Sequence, residues 1–373
     1  MQRCLLAAIV LLGITGLACA ETRHQSEHHD IVVDTLRDDL RHPWGLGFLP
    51  DGNMLVTERG GRLLRISADG SNSTVIAGVP EVHVANQAGL LDVALHPDFE
   101  NNQLVYLSYS SPDGEAARTT LGRGRLEGDQ LRDFEQLFAA SPGVGGGRHL
   151  GSRIVFDDDG TLFLSVGDRG QRDMAQDPGN HIGTVLRLNE DGSVPQDNPF
   201  VDDADRRAEI FSYGHRNPQG MIRHPDTGEI WINEHGPRGG DELNQLQAGL
   251  NYGWPEVTLG TEYSGPDIGV EEKDGMEPPV YHWTPSIAPS GMLHYDGDAF
   301  PQWRGNLFVG ALAHTHLARL TMDGARVVSE ERLLDDAGWR IRDVRQGPDG
   351  ALYLLVDARD GRLVRLTPAS SDD

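Results

Sequence analysis

The sequence predicts an all-β fold, a six-bladed β-propeller with four antiparallel strands in each blade, and three observations support this prediction. A unit made of an apolar pair, a Pro/Asp/Gly turn and a run of alternating apolar residues occurs six times along the 373 residues. Ten Asp-Gly pairs supply the positive φ that tight hairpin turns need. Long helical periodicity is nearly absent, so the units are predicted to be strands.

Each of the six units is predicted to form a β-hairpin of strand, tight turn and strand. The units begin 44 to 71 residues apart, at Gly45, Gly89, Ser152, Gln219, Ser290 and Ile341. Several are followed by a further strand that ends at another turn, as in "GRLLRISADG" and "HLARLTMDG". Repeats of this length built from β-meanders are typical of propellers. A pair of β-sandwiches is the alternative, and it explains the irregular insertions less well.

The two ends of the chain are expected to close the ring. Residues 30–36, "DIVVDTL", have no turn partner of their own, so we expect them to pair with the last blade and leave no open edge. Insertions at 110–150 and 168–183 are expected to lie on one face, where sites on rigid scaffolds are usually built. The histidine-rich residues 24–29 are predicted to be a disordered tail rather than a metal site. No low-complexity linker divides residues 21–373, which are therefore predicted to form one catalytic domain.

Residues 1–20 have the three regions of a secretory signal peptide. Arg3 supplies the positive charge, residues 5–17 are apolar, and a small-residue Ala-Cys-Ala cleavage site follows. The apolar run is too short for a comfortable membrane span. The mature chain is therefore expected to be periplasmic or secreted, with no transmembrane segment. A lipoprotein anchored through Cys19 is the alternative, although Gly16 stands where a lipid-attachment signal usually has a larger apolar residue.

Composition excludes several classes of function. Cys4 and Cys19 both fall in the predicted signal peptide, so the mature chain offers no disulfide, thiolate metal site or cysteine nucleophile. A net charge of −25 argues against a nucleic-acid partner. Lys273 is the single lysine, which argues against Schiff-base chemistry, and no Walker A motif is present. The main signals of nicotinamide enzymes, serine hydrolases and zincins are absent as well.

A histidine and an aspartate flank the third predicted hairpin. His149 stands just before its first strand, and Asp168 stands just after its second strand. Because a hairpin returns its ends to the same edge, these two side chains can be neighbours. A carboxylate beside a histidine fixes one tautomer and raises its basicity, as a general base requires. A surface histidine near a turn aspartate fits the same spacing, so the spacing alone leaves both interpretations open.

Three arginines fall at the same edge of different blades. Arg216, followed by Asn217, precedes the fourth hairpin, whereas Arg340 and Arg342 precede the sixth and face the same way because they are two apart in a strand. The guanidinium fork suits planar carboxylates. In so acidic a protein these arginines indicate an anionic ligand, and salt bridges between blades are the alternative. Gln87 falls at the corresponding place before the second hairpin.

The stretch "NEHGPRGGDELNQLQAGLNYGWP", residues 233–255, is compatible with either an acidic glycine-rich loop or a calcium site. Gly236 and Pro237 expose backbone carbonyls, and Asp241 and Glu242 are carboxylates. Calcium takes about six to eight oxygens of these kinds. The spacing does not fit an EF-hand, and the acidic residues disfavour phosphate.

With these residues assembled, the chain resembles the soluble glucose/sorbosone dehydrogenase family, including the periplasmic aldose sugar dehydrogenases that use pyrroloquinoline quinone. The stretches "GLLDVALHPDF", "YGHRNPQG", "NEHGP…DELN", "LNYGWP" and "RIRDVRQGPDG" are similar to family motifs and occur in family order. The similarity extends from His42 to Pro368. It implies a six-bladed propeller that oxidises aldose sugars at C1 to lactones and passes the electrons to a separate acceptor.

The resemblance also implies roles for individual residues. The family's general base matches His149, which would take the proton of the sugar C1 hydroxyl while hydride passes to the quinone C5 carbon. The family aspartate that orients this base matches Asp168. The positions that contact the cofactor in the family match Gln87, Arg216, Asn217, Tyr263, Arg340 and Arg342.

Two calcium ions are implied by the same resemblance. The backbone carbonyls of Gly236 and Pro237 match the ligands of a calcium ion bound to the cofactor. Glu242 and Tyr252 match the ligands of a second, structural calcium ion. Calcium on a quinone oxygen acts as a Lewis acid, and the arginines would pair with the three carboxylates of pyrroloquinoline quinone.

One position departs from the family pattern. Where the family often has a lysine on the cofactor, "FVGALAHTHLARL" has Ala313. One counter-charge is therefore expected to be missing, and His314 and His316 are the nearby candidates to replace it. This departure concerns cofactor affinity more than the type of reaction.

Two functions of other classes are the alternatives to a sugar dehydrogenase. One is a calcium-dependent propeller lactonase or esterase, and the other is a non-catalytic sugar-binding propeller. Neither needs convergent arginines. If Arg216, Arg340 and Arg342 point into one central cavity, a large anionic cofactor is favoured, whereas pairing with acids between blades argues against it.

Overall fold

A computed structural model of the protein describes residues 22–369. Its strands form six antiparallel sheets, and the first strands of neighbouring sheets contact each other around a ring. This architecture is the predicted six-bladed β-propeller. The predicted signal peptide, residues 1–20, lies outside the described residues with both cysteines. Among residues 22–369, no helix has the length and hydropathy needed to cross a membrane.

The strands of each blade follow the chain, except that blade 6 takes its fourth strand from the N-terminal segment. They are, for blade 1, Pro43–Phe48, Met54–Glu58, Arg62–Ile66 and Ser73–Ile76; for blade 2, Leu90–Leu95, Leu104–Asp113, Ala116–Glu127 and Gln130–Ala139; for blade 3, Ile154–Phe156, Leu162–Val166, Thr184–Leu188 and Ile210–Tyr213; for blade 4, Pro218–Arg223, Ile230–Glu234, Asp241–Leu246 and Tyr281–Trp283; for blade 5, Pro289–His294, Leu307–Ala311, Leu317–Asp323 and Arg326–Leu333; and for blade 6, Ile341–Gln346, Leu352–Val356, Gly361–Pro368 and Asp30–Leu40. Helical structure in the described part is limited to Phe99–Asn102 and the 3₁₀ turns Arg172–Gln176 and Pro301–Trp303.

The N-terminal segment closes the ring, as predicted. Asp30–Leu40 pairs antiparallel with Gly361–Pro368. A fifth strand, Thr22–Gln25, then pairs with the N-terminal half of Asp30–Leu40. The prediction of a disordered histidine-rich tail is therefore wrong, because His29 also lies edge-on to Trp303 with ring centroids 5.1 Å apart. The apolar partner that holds this histidine comes from blade 5, which its own sequence neighbourhood cannot reveal.

The blades pack through apolar side chains on both faces. The second strand is buried at every residue in five of the blades, as in Leu162–Val166 and Leu352–Val356. A strand covered on both faces is a continuous apolar run rather than an alternating one. Within residues 22–369, one apolar cluster fills each of the six interfaces between neighbouring blades. These interfaces make a rigid scaffold for the loops at its edges.

The two predicted insertions have different structures. Residues 168–183 form a loop with one 3₁₀ turn, as expected. Residues 110–139 instead form most of the outer part of blade 2, so the predicted insertion at 110–150 is wrong over most of its length. Gly122 makes the strand Ala116–Glu127 resemble a loop in the sequence. In the structure the ring of Phe134 covers this glycine, and a Cβ at Gly122 would be 2.6 Å from that ring.

Candidate active site

Two loops of each blade lie on the same face of the propeller. One precedes the first strand of the blade, and the other follows the second strand. Most of the predicted site residues stand at these places. Gln87, His149, Arg216, Asn217 and Arg340 precede first strands, Arg342 lies at the start of one, and Asp168, Gly236 and Pro237 follow second strands. Glu242 lies within the third strand of blade 4, and Tyr252 and Tyr263 lie in the long connection after that strand.

His149 and Asp168 are in contact. Nδ1 of His149 lies 2.6 Å from Oδ1 of Asp168. Because a carboxylate only accepts, Nδ1 carries the proton and Nε2 is left as the acceptor. Asp168 also accepts hydrogen bonds from the Gly170 amide at 2.6 Å and from Nε1 of Trp254 at 2.8 Å. Burial raises the pKa of Asp168, but the hydrogen bond and charge of His149, the Gly170 amide and the charge of Arg216 together outweigh burial and hold this pKa below its usual value.

The loop that carries His149 is held in a restricted conformation. His149 has φ of 50°, in the left-handed region. A Cβ at Gly167 would lie 2.1 Å from the His149 carbonyl oxygen, so only glycine allows the two loops to approach this closely. The buried guanidinium of Arg169 donates to the carbonyls of Arg148 and Val144. These contacts fix the backbone at the histidine and in the segment before it.

His149 lines a pocket that we call the histidine pocket. It has a volume of about 160 Å³, and its walls include His149, Asp168, Arg216, Pro237, Trp254 and Tyr263. Tyr263 is 73% exposed, so it stands at the mouth rather than inside.

A second, larger cavity lies at the centre of the same face, and we call it the arginine cavity. Its volume is about 290 Å³, and its walls include Arg59, Gln87, His235, Ala313, Arg340 and Arg342. Gln87 joins the two sites, because its Oε1 accepts a hydrogen bond of 2.8 Å from the His149 amide. Arg216 joins them again, because its Nη1 donates to the His235 carbonyl at 3.1 Å.

The three predicted arginines could either point into one central cavity or pair with acids between blades, and the structure agrees only in part with the first outcome. Arg340 donates to the Leu312 carbonyl and pairs with no acid among the described residues. Arg342 pairs with Asp357 of its own blade at 3.1 Å, and both line the arginine cavity. Arg216 lines the neighbouring histidine pocket. These three arginines therefore form no salt bridge between blades in the described part, but they divide between two adjoining spaces.

Unsatisfied donors indicate that an anion fits here. Nε of Arg216 and Nε of Arg342 are both buried without a hydrogen-bond partner among the described residues. Burial lowers the pKa of Arg342, although Asp357 opposes this effect. Buried polar groups are normally hydrogen-bonded, so each of these unpaired N–H donors can accommodate an acceptor atom from a ligand. A ligand with several carboxylates would supply such partners.

Asn217 lies in the wall behind the two spaces rather than on their surface. It is 1% exposed, and its Oδ1 accepts from the amide of Gly151 and from Nε2 of Gln219. Its backbone carbonyl accepts from the His235 amide. Its predicted cofactor contact stays a prediction.

Gly236 and Pro237 present two adjacent carbonyls, and neither accepts a hydrogen bond from the described residues. Asp241 does not compete for this role. Its carboxylate accepts from the Gly236 amide at 2.8 Å and from the Ile287 and Ala288 amides. The carboxylate thus shapes the turn, and the free carbonyls are the groups that fit a calcium ion.

Glu242 lies beside a second buried carboxylate, Glu234. Nδ2 of Asn244 donates to both, at 3.1 Å and 3.3 Å, while its Oδ1 is buried with no partner among the described residues. Burial and then the charge of Glu234 raise the pKa of Glu242 to about 8. Two buried carboxylates and an orphaned amide oxygen fit a cation here. The hydroxyl of Tyr252 is already bonded to the backbone of Gln245, so only its carbonyl is free to ligate.

The candidate calcium ligands differ from an ordinary cluster of acidic side chains. No group of three or more His, Cys, Asp or Glu side chains within residues 22–369 is arranged to hold a metal ion. The candidate ligands here are two carbonyls at one place, and two carboxylates with a carbonyl at the other.

Ala313 lines the arginine cavity, so the missing charge is a feature of the site itself. His314 is exposed, and His316 is fully buried with Nδ1 bonded to the His314 carbonyl. Neither of these histidines lines the arginine cavity. The missing charge is therefore not replaced from this strand.

Sequence reasoning missed several residues of this face. His42 and Asp357 form a second pair, with 2.8 Å between Nδ1 and Oδ1, and both line the arginine cavity with Arg59. His235 is held neutral there, because burial and then the charge of Arg216 keep its pKa well below the usual value. Trp254 lies in a quoted motif, but its contact with Asp168 joins residues 86 apart and leaves no local signal.

Comparison with known proteins gives consistent matches. A model of the glucose/sorbosone dehydrogenase family matches residues 40–365. Aldose sugar dehydrogenase YliI of Escherichia coli (strain K12) is 45% identical over 363 residues, which cover 95% of this chain and 98% of that protein. A crystal structure of a glucose dehydrogenase has a TM-score of 0.89 at 48% identity, covering 91% and 99% of the two chains. The PQQ-bound form of an aldose sugar dehydrogenase from Streptomyces coelicolor has a TM-score of 0.75 at 28% identity, covering 90% and 98%.

Proposed function

Because this chain belongs to the glucose/sorbosone dehydrogenase family, we propose that it oxidises aldose sugars at C1 to lactones, with pyrroloquinoline quinone (PQQ) as oxidant. The observation that carries the proposal is the arginine cavity beside the His149–Asp168 pair. A protein of net charge −25 keeps Arg340 and Arg342 on one central cavity that adjoins a histidine with a free Nε2. A relative of 28% identity is described as PQQ-bound, which supports the choice of cofactor.

The chain's own residues supply the acid–base part of the reaction. Nε2 of His149 accepts the proton of the C1 hydroxyl, and Asp168 stabilises the imidazolium that forms. Trp254 and the Gly170 amide hold Asp168 as a carboxylate through its two oxygens. The Gly236 and Pro237 carbonyls would hold the calcium ion of bound PQQ, and the cofactor would supply the electrophilic chemistry that accepts hydride from C1.

The remaining residues bind and orient. Arg340, Arg342 and Arg216 would neutralise carboxylates of the cofactor, with Gln87 between the two spaces, Asn217 in the wall behind them and Tyr263 at the mouth. Glu242 and the Tyr252 carbonyl bind a structural calcium ion that neutralises the pair of buried glutamates. Charged donors fixed in a low-dielectric cavity stabilise developing negative charge without reorganising.

A calcium-dependent lactonase or a sugar-binding propeller accounts for less of the site. The lactonase would use a calcium ion and His149, but neither alternative gives a role to the orphaned Nε groups of Arg216 and Arg342. The dehydrogenase gives a role to all of them.

We also propose that the protein is exported and works with a separate electron acceptor. The signal-peptide pattern of residues 1–20 motivates the first point. The second follows from the chemistry, because each sugar oxidised leaves two electrons on the enzyme that another molecule must remove. Electrophoretic mass and N-terminal sequence of the protein from the periplasmic fraction of its host would test export.

The test of function starts from purified apo protein with calcium and PQQ added. Reduction of an artificial dye should depend on glucose or another aldose, and bound cofactor should absorb in the visible range. No turnover with a panel of aldoses, together with no cofactor-like absorption, would contradict the proposal.

His149→Ala should lower kcat by a factor of about 10² to 10⁴, because it removes the general base. The Kd for PQQ should change little, since His149 is not among the charged residues of the arginine cavity. His282→Ala, an exposed histidine on the outer strand of blade 4, serves as the control and should keep full activity. Loss of cofactor binding in His149→Ala would mean that His149 has a structural role instead.

A further inference from the structure

The charge of the arginine cavity is not confined to the arginines of blade 6. Its basic wall residues include Arg59 and His42 from blade 1, and Asp357 is the one carboxylate among its walls in the described part of the chain. Burial raises the pKa of Asp357, but the charges and hydrogen bonds of Arg342 and His42 together outweigh burial and lower this pKa to about 2. Asp357 is therefore charged, and it is shared between His42 and Arg342.

Arg59 has no acidic partner among the residues that the structure describes. Its Nη1 donates to the Asn86 carbonyl at 2.5 Å, and no ion pair to its guanidinium occurs among residues 22–369. By contrast, Arg62, three residues later, pairs with Glu58. An arginine without a counter-ion on the wall of a cavity is available to a ligand.

The backbone of Arg59 is built into its position. The Leu90 amide donates to the Arg59 carbonyl, and a Cβ at Gly89 would lie 1.9 Å from that oxygen. The Arg59 amide donates to the His42 carbonyl at 3.1 Å. Two blades therefore hold the residue at the cavity edge.

His42, which accepts the Arg59 amide, is itself in a strained conformation. Its φ is 47°, a left-handed value for a residue that precedes a proline. Strain of this kind persists where the surroundings fix it, often at functional sites. In this conformation the imidazole of His42 contacts Asp357 and its carbonyl accepts the Arg59 amide. His42 therefore links Asp357 of blade 6 to Arg59 of blade 1.

We propose that Arg59 is a further anion-binding residue of the arginine cavity and binds a carboxylate of the cofactor, held in place by His42. This inference rests on the proposed function for the identity of the ligand. It also accounts for Ala313, because the charge missing from blade 5 is present on the same cavity from blade 1. The recognised chemistry is a planar carboxylate on a rigid aromatic frame.

Direct binding of PQQ to apo protein in calcium buffer, followed by calorimetry, tests the assignment without any measurement of turnover. Arg59→Gln should raise the Kd roughly tenfold, between the small effect of exposed pairs and the large effect of buried ones. Arg59→Lys should lose less, because the charge is kept. Arg41→Gln removes an exposed arginine of the same blade that does not line the cavity, and its Kd should equal that of the wild type.

Ala313→Lys gives an independent measurement. Added to Arg59→Gln, it returns a positive charge to the same cavity and should recover part of the lost affinity. A Kd for Arg59→Gln equal to that of the wild type would overturn the assignment of Arg59 alone. Wild-type protein that fails to bind PQQ with calcium present would overturn both this inference and the proposed function.

Discussion

At the scale of single residues, Trp254 connects the two halves of the site. Its Nε1 donates to Asp168 at 2.8 Å, and its ring lies 5.2 Å from the guanidinium carbon of Arg216. Its backbone is fixed as well, since Gln176 donates to its carbonyl. One indole therefore orients the carboxylate behind the proposed base and packs under a proposed cofactor ligand. Trp254 is a positioning residue.

Trp254→Phe separates these two contacts, because it removes the donor and keeps a ring beneath Arg216. We expect kcat to fall about tenfold, since a hydrogen bond to a charged group is worth roughly 1.5–3 kcal/mol. The Kd for PQQ should stay within about twofold, which direct binding would measure. Trp283→Phe is the matched control, because this buried indole donates to Glu330 outside the site. A normal kcat in Trp254→Phe would show that the Asp168 contact is dispensable.

The residues that sequence reasoning found and missed differ in how their signals are distributed. His149, Arg216 and Arg342 stand next to hairpin signals, so their positions at the edge of a blade followed from the repeat. Arg59 stands at an equivalent place, but an arginine beside "GG" has many uses in a sequence. Only its lack of an acidic partner makes it distinctive, and that is a property of the folded chain.

At the scale of elements, the hairpin Ile230–Glu234 and Asp241–Leu246 places two acids side by side. Glu234 and Glu242 are cross-strand partners, both buried. Like charges in this arrangement destabilise a sheet. Glu234 has other partners, since it accepts from His215 and from the Arg216 amide. Glu242 is the member that needs a proton or a cation.

This arrangement predicts a pH-dependent stability that calcium removes. The pKa of Glu242 in the folded protein is raised from 4.5 to about 8, so the folded state holds a proton that the unfolded state has released between these values. The contribution of this group is fully present below pH 4.5 and is lost as the pH rises through about 8. In a chelator the Tm should therefore decrease between pH 5 and pH 9, and calcium should raise it most at the alkaline end.

Glu242→Gln provides the comparison, because it is neutral at every pH. Its Tm in a chelator should show less of the alkaline decrease, and calcium should raise its Tm much less than that of the wild type. Glu81→Gln, an exposed carboxylate between blades 1 and 2, should respond as the wild type does. An equal calcium effect on Glu242→Gln and on the wild type would contradict the assignment of this ion.

The strands also show where the sequence pattern fails. Runs such as "LFLSV" and "LYLLV" predict their strands well, because both faces are buried and the signal is continuous. The strand Ala116–Glu127 contains "TTLGRGRL", whose two glycines imitate a loop. Phe134 from the next strand covers them, so tertiary packing supplies the apolar surface that the strand itself lacks.

At the scale of the whole molecule, a buried ionic network closes the centre of the ring below the site. Arg153 of blade 3 lies 2.9 Å from Asp92 of blade 2 and 3.3 Å from Asp343 of blade 6. Its Nε donates to the Gln219 carbonyl of blade 4, and its guanidinium carbon lies 4.4 Å from the ring of Trp44 of blade 1. A single arginine of blade 3 therefore contacts four of the other five blades.

Glycines at one position of the sequence repeat leave space for this network. The equivalent position is occupied, blade by blade, by Gly45, Asp92, Arg153, Gly220, Gly291 and Asp343; it lies within the first strand of five blades and directly before that strand in blade 3. A Cβ at Gly45 would lie 2.8 Å from Asp92 Oδ1, and one at Gly291 would lie 2.1 Å from Asp343 Oδ1. Gly45 and Gly291 each belong to a blade that is followed by a blade with an aspartate at this position. The central space is therefore filled by charged side chains from some blades, and glycines in other blades leave room for them.

Arg153→Met should therefore destabilise the whole ring rather than one blade. It leaves Asp92 and Asp343 buried with only Arg345 to share, at 3.6 Å and 3.1 Å, and uncompensated buried charge costs about 3–5 kcal/mol. The urea midpoints of unfolding followed by fluorescence and by circular dichroism should shift together, because all blades lose the same contact.

Arg332→Met, which breaks an exposed pair with Glu330, is the control and should lower the free energy of unfolding by less than about 1 kcal/mol. Adding Asp92→Asn to Arg153→Met should recover stability, since it removes one of the two stranded charges. If Arg153→Met unfolds at the wild-type urea concentration, the network does not hold the blades together, and the apolar interfaces alone account for the closed ring.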